Sequence, residues 1–187
     1  MRIIGGSLRG RIIDAPSGYK ARPTTDLARE SLLNILNNRY DFAAVNLLDL
    51  FAGTGAISYE FASRGTGDID LVEIDRRNCA FISKTVIKLG ITNARVHRLD
   101  VRDFLKACHK QYDIIFADPP YDLAWLPGLP DLVLNSGAVK ENSLFILEHP
   151  KSDDFSSHPS FSEHRNYGSV NFSFFRKLNY VNVMLNH

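Results

Sequence analysis

The segment with the most specific chemistry in this chain of 187 residues is Asp118-Pro119-Pro120-Tyr121. Two consecutive prolines hold the backbone extended and remove two N–H donors. What remains is acceptors, namely the Asp118 carboxylate and the Pro119 carbonyl. Their natural guest is an NH2 group, which presents two donors. An aromatic amine is a poor nucleophile because its lone pair is delocalised into the ring. Two acceptors can orient its hydrogens, favour sp3 geometry at nitrogen and aim the lone pair at an electrophilic methyl. Tyr121 is placed to stack on a planar base. A lone Asp-Pro-Pro also reads as a turn with a capping acid, so the surroundings must decide.

They include a glycine loop, Asp49-Leu50-Phe51-Ala52-Gly53-Thr54-Gly55. A backbone that turns sharply and lies against a ligand cannot tolerate a Cβ. Glu73 follows the first glycine by about twenty residues, a spacing at which a carboxylate can hold two ribose hydroxyls. The third glycine of the dinucleotide fingerprint is missing, because Ala56-Ile57-Ser58 follow Gly55. This disfavours a pyrophosphate cofactor and with it a nicotinamide oxidoreductase. S-adenosylmethionine carries no phosphate and is cationic at sulfur, so an acid such as Asp49 near its amino-acid end makes electrostatic sense. Asp100 could accept from an adenine amine. Taken alone, the loop fits a nucleotide-type ligand of open identity, or a structural turn with Asp49 and Asp100 as helix caps. Followed by Asp118-Pro119-Pro120-Tyr121 at the end of an apolar run, it points to methylation of an exocyclic amine on a nucleic-acid base.

The elements that must position these residues alternate. Val45 to Phe51, Ile69 to Ile74, Ala94 to Leu99, Tyr112 to Ala117 and Leu144 to Glu148 read as strands. Helical stretches follow the glycine loop and cover Asn78 to Leu89, closed by Gly90, and Val101 to Cys108. Continuous apolar strands joined by helices predict an α/β fold, a doubly wound and mostly parallel sheet. Ser162 to Tyr167 and Val170 to Phe175 flank Gly168 as a closing antiparallel pair, and Phe172, Phe174 and Phe175 are expected in the core. At the start, Arg2-Ile3-Ile4 and Gly10 to Ile13 predict a small hairpin around Gly5-Gly6. Thr24, Thr25 and Asp26 offer cap oxygens to a helix carrying Leu27, Leu32, Leu33, Ile35 and Leu36.

Net charge is +1, but its distribution is uneven. Arg2, Arg9, Arg11, Lys20, Arg22, Arg29 and Arg39 outnumber Asp14, Asp26 and Glu30 in the first forty residues, which leaves the remainder acidic. A polyanion docked by the N-terminal segment accounts for this asymmetry, as does a merely solvated basic face. Cys79 and Cys108 share no metal or disulfide spacing, the six histidines form no ligand pattern, and no apolar run is long enough for a signal peptide or a membrane span. A cytoplasmic, metal-free monomer is expected.

Arg2-Ile3-Ile4-Gly5-Gly6, Arg9-Gly10, Arg22-Pro23-Thr24-Thr25-Asp26, Arg29-Glu30, Asp49 to Ala56, Glu73-Ile74-Asp75 and Asp118 to Tyr121 occur in an order that resembles the guanine-966 N2 methyltransferases of bacterial 16S ribosomal RNA. The core motifs are common to many methyltransferases, and the N-terminal ones are more discriminating. The resemblance implies a class I, Rossmann-like methyltransferase that uses S-adenosylmethionine and acts on 16S ribosomal RNA in a partly assembled small subunit. It implies a single domain over 1–187, with an RNA-contacting extension over 1–40 and a catalytic core over 41–187. Cofactor contacts are expected from Asp49, Phe51, Ala52, Gly53, Thr54 and Gly55, from Glu73, Ile74 and Asp75, and from Asp100 and Val101. The target amine falls to Asp118, Pro119, Pro120 and Tyr121, and RNA to Arg2, Arg9, Arg11, Arg22, Thr24 and Arg29. Leu178 to His187 is an extra tail without an assigned role.

Two rivals remain. A DNA adenine-N6 or cytosine-N4 methyltransferase uses the same amine chemistry, but normally needs a target-recognition domain for which this length leaves little room. A non-catalytic RNA-binding assembly factor would not need an intact Asp118 and glycine loop.

Overall fold

Leu47-Leu48-Asp49-Leu50 is buried at every position, which marks a strand inside a sheet covered on both faces. The computed structural model describes residues 1–14 and 26–177. Its strands are β1 (Leu47–Leu50), β2 (Ile69–Glu73), β3 (Ala94–Arg98), β4 (Tyr112–Ala117), β5 (Val139–His149), β6 (Phe161–Tyr167) and β7 (Val170–Arg176). They form one seven-stranded sheet in the order β3-β2-β1-β4-β5-β7-β6. The first five run parallel, and β7 pairs antiparallel with both β5 and β6. The order reverses between β1 and β4, the crevice where ligands sit in open α/β sheets.

The helices are α1 (Asp26–Asn37), α2 (Ala56–Ser63), α3 (Arg76–Leu89), α4 (Val101–Ala107) and α5 (Leu129–Leu134). Alternation along the strands divides the core. Leu47, Leu71, Phe116 and Ile146 point to one face, packed by Ile3 and Ile13 of the N-terminal segment and by Leu32, Phe61 and Ile82 of α1, α2 and α3. Leu48, Val72, Ile115 and Leu147 point to the other, beneath Phe104 of α4 and Val133 of α5. Phe172 and Phe174 join the first core and Phe175 the second.

Several expectations need correction. The N-terminal hairpin is present but short, one antiparallel bridge of Arg2 with Ile12 flanked by the Ile3 amide on the Arg11 carbonyl and the Ile13 amide on the Met1 carbonyl, and its loop is also tied to α2. The amides of Ser7 and Leu8 donate to the Ser63 carbonyl and hydroxyl, and that of Ile4 donates to the Glu60 carboxylate. Gly6 is required there, since at φ 75° a Cβ would lie 1.9 Å from the Ser63 oxygen. The expected strand Val45 to Phe51 is shorter, Leu47–Leu50, because the chain bends at Phe51. β5 starts earlier than Leu144: Val139 pairs with Tyr112, and a register shift with Asn142 at φ 64° hides the continuity behind polar residues. Helix α5 is an element the sequence reading left out; Pro130 sits in its first turn, where proline is favourable.

Candidate active site

Parallel pairing sets four carboxylates along one edge of the sheet. Leu50 pairs with Val72 and with Ala117, and Ala117 with Leu147. The next residue on each outer strand is therefore Glu73, Asp118 and Glu148, all on one level. All lie two residues beyond Leu71, Phe116 and Ile146, so all face the side covered by α1, α2 and α3. The matching position on β1 is Phe51, where the chain turns away at φ 59°. A row of acids thus has a gap at its centre, above the topological switch. Asp49 sits one step deeper on the same face, level with Leu71 and Phe116.

The glycine loop is held from both sides. Gly53 at φ 57° donates its amide to Glu73 Oε2 at 2.7 Å, and the Asp75 amide donates to Oε1 at 2.7 Å. Gly55 is the residue before α2 at φ 81°, and a Cβ there would approach the Tyr59 ring to 2.8 Å. Phe51 is a bulky residue in left-handed backbone, a conformation that costs of order 1–3 kcal/mol and is retained where surroundings dictate it. Its ring lies 5.8 Å from that of Trp125, in the segment after the proline pair.

Burial shapes the electrostatics. It pushes the Asp49 carboxyl up to about 7, against the opposing effect of the Ser58 hydroxyl, which donates to Oδ2 at 2.6 Å; the Glu73 charge adds to the rise. Burial, then the charges of Glu148 and Asp49, hold the Asp118 carboxyl well above the usual carboxylate range. Pro119 is buried and Pro120 exposed. The Tyr121 hydroxyl donates to Glu148 Oε1 at 3.4 Å.

Other expected residues have local duties. Asp75 caps α3 by accepting from the amides of Arg77 and Asn78, and these bonds lower its pKa. Asp100 caps α4 and is gripped at both oxygens by the Arg102 guanidinium, which lowers its pKa and lies 5.1 Å from the Trp125 ring. Thr54 and Val101 are buried. Ile74 is 65% exposed just past the row, and Leu99, one residue beyond β3, is 45% exposed. Sequence reasoning singled out neither Leu99 nor Glu148. A carboxylate closing the run Leu144 to Leu147 repeats the pattern of Glu73 and Asp118, and that signal could have found Glu148.

On the N-terminal segment, Arg2, Arg9 and Arg11 are exposed. Arg29 is not, which corrects its assignment to RNA. It is 2% exposed, donates to the Arg2 carbonyl at 2.8 Å and to Asp26 at 2.9 Å, and lies 3.4 Å from Glu60. Its charge fastens the N-terminal segment to α1 and α2. Arg22 and Thr24 lie outside the described residues, as do Thr25 and the tail Leu178 to His187. Among the described residues no group of three or more His, Cys, Asp or Glu could hold a metal ion, and no helix is long and apolar enough to cross a membrane.

The family model described as Conserved hypothetical protein 95 matches residues 1–176. The ribosomal RNA small subunit methyltransferase D of Escherichia coli (strain K12) is 34% identical over 148 residues, 79% of this chain and 74% of that protein. Its counterpart from Buchnera aphidicola subsp. Baizongia pistaciae is also 34% identical over 148 residues, 79% of this chain and 75% of its own. Among solved structures, the Escherichia coli protein yhhF superposes with a TM-score of 0.82 at 31% identity, covering 95% of this chain and 97% of that one.

Proposed function

The chain belongs to the conserved hypothetical protein 95 family and to that of the ribosomal RNA small subunit methyltransferases D, and from this premise we propose that it methylates the exocyclic N2 amine of a guanine in 16S ribosomal RNA, using S-adenosylmethionine, within the assembling small subunit. The observation that carries the proposal is the placement of Asp118, which directly follows β4 beside the glycine loop in a row of inward-facing carboxylates.

S-adenosylmethionine fits the residues present. Asp49, with Glu73 beside it, suits a cation, and the gap at Phe51 gives it a seat. Glu73 uses one lone pair on each oxygen for backbone amides and retains others for ribose hydroxyls. Ile74 and Leu99 offer exposed apolar side chains for a heterocycle. When bound, the cofactor supplies an electrophilic methyl on a positively charged sulfur. Asp118 and the Pro119 carbonyl hold the amine hydrogens and turn its lone pair towards that methyl. Tyr121 stacks on the base. Transfer would form the N–CH3 bond as the S–CH3 bond breaks and leaves a neutral thioether; the nitrogen would then have to lose one proton, for which the raised pKa of Asp118 makes it a competent acceptor. Exposed Arg2, Arg9 and Arg11 contact RNA phosphates, and the protein works as a cytoplasmic monomer.

The test is methyl transfer from labelled S-adenosylmethionine to unmodified small subunits, free 16S RNA and duplex DNA, with product nucleosides identified by mass. N2-methylguanosine formed on subunits is the expected result. Methylated adenine or cytosine in DNA would overturn the substrate. No transfer together with no cofactor binding would favour an assembly factor.

A further inference from the structure

Glu148 stands next to Asp118. Ala117 of β4 pairs with Leu147 of β5, so the two acids occupy the following level on neighbouring strands, about 4.8 Å apart. Glu148 is 3% exposed, and its Oε1 accepts from the Tyr121 hydroxyl at 3.4 Å. It therefore adjoins both the group that holds the amine and the ring that stacks on the base.

The bases differ in what they present beside the amine. In guanine, the ring nitrogen N1 next to the N2 amine carries a hydrogen. In adenine and cytosine, the corresponding nitrogen carries a lone pair. An ionised carboxylate is an acceptor only, so it bonds the first edge and repels the second. In a buried site such a mismatch is heavily penalised, because acceptor faces acceptor with no water between them to screen the repulsion.

We infer that Glu148 is the residue that selects guanine, its carboxylate accepting the N1–H while Asp118 and the Pro119 carbonyl hold the N2 amine. The inference rests on the guanine-N2 proposal above. Guanine brings three N–H donors, one for Glu148 and two for Asp118 and the Pro119 carbonyl. A base with a lone pair at that position leaves Glu148 facing negative charge density.

The test replaces the target guanine by 2,6-diaminopurine in otherwise identical small-subunit RNA. This base keeps the 2-amine and exchanges N1–H for a lone pair. The wild type should prefer guanine in kcat/KM by about 100-fold or more. Glu148→Gln, whose carboxamide can rotate to offer a donor or an acceptor, should narrow that preference at least ~10-fold, with cofactor affinity within about threefold of wild type. Equal use of both bases by the wild type, or an unchanged preference in Glu148→Gln, would overturn the inference. Should Glu148→Gln not fold, Glu148→Asp withdraws the carboxylate by one methylene and must narrow the preference likewise. Failure of the wild type to form N2-methylguanosine at all is a separate result and would sink the guanine proposal itself.

Discussion

The Gly53 amide donates to Glu73 Oε2 at 2.7 Å, so the carboxylate that ends β2 also fixes the loop that follows β1. With its other oxygen bonded to the Asp75 amide, Glu73 acts as a brace between two strand ends before any ligand arrives. A loop held in this way presents its ligand-facing backbone already ordered, which lowers the entropy lost on binding.

Glu73→Ala would strand two backbone donors. Each lost acceptor costs about 1–3 kcal/mol, so the melting temperature should fall by several degrees. The affinity for S-adenosylmethionine should fall more than ~10-fold, because both brace and ribose acceptor are gone. Thermal denaturation and titration calorimetry read the two effects. Unchanged affinity would remove Glu73 from the cofactor site.

Gly55→Ala should be far more damaging than Gly90→Ala. Both glycines are left-handed, at φ 81° and 70°, but only Gly55 has a neighbour, the Tyr59 ring, where a Cβ would go. We expect about 1–2 kcal/mol at Gly90 from conformation alone, and an added ~1–3 kcal/mol at Gly55 from the clash. Denaturant titration of the two variants decides it. Cofactor binding should suffer only at Gly55.

Asp49 makes stability and binding depend on pH in opposite senses. Its carboxyl titrates near 7 in the fold and near 3.8 as an ordinary aspartate, so the folded protein holds the proton more tightly. Its contribution to stability is greatest below the ordinary value and declines as pH rises from about 4 to about 7, by at most ~4 kcal/mol. Cofactor affinity should rise across pH 7 as the carboxylate forms. Asp49→Asn should melt higher than wild type at pH 8 and bind the cofactor more weakly at that pH. A variant that melts lower than wild type at pH 8 would contradict the cost assigned to the buried charge.

Arg29 and Arg11 should separate cleanly. Removing buried Arg29 leaves Glu60 with less compensation and unties the N-terminal segment, so Arg29→Ala should lose about 3 kcal/mol of stability. Arg11→Ala should leave stability within ~0.5 kcal/mol of wild type. It should weaken RNA binding and reduce its salt slope by about 1. Equilibrium unfolding and binding at several salt concentrations provide both readings.

Much of this was legible in the sequence because each element carries its own local chemistry. Apolar runs without alternation gave the inner parallel strands, though not the half-exposed β3 at the sheet edge, and Gly90 gave the end of α3 at φ 70°. The carboxylate ending β2 was readable from its spacing to Gly53, and the one that follows β4 from the prolines beside it. Glu148 closes an apolar run in the same way, but its place beside Asp118 comes from strand order, which puts β5 next to β4. The role of Arg29 was hidden for a related reason. Its partners Arg2 and Glu60 are distant in the chain, and a basic residue in a basic segment looks like a phosphate contact until its burial is known.

The central claim is that Asp118 acts on the target amine and not on the fold or the cofactor. The most direct measurement compares wild type with Asp118→Ala for N2-methylguanosine formation on unmodified small subunits, at cofactor concentrations that saturate both proteins. Loss of transfer by at least ~1,000-fold, with cofactor affinity kept and melting temperature not lowered, is the predicted result. Transfer within about tenfold of wild type would contradict the account.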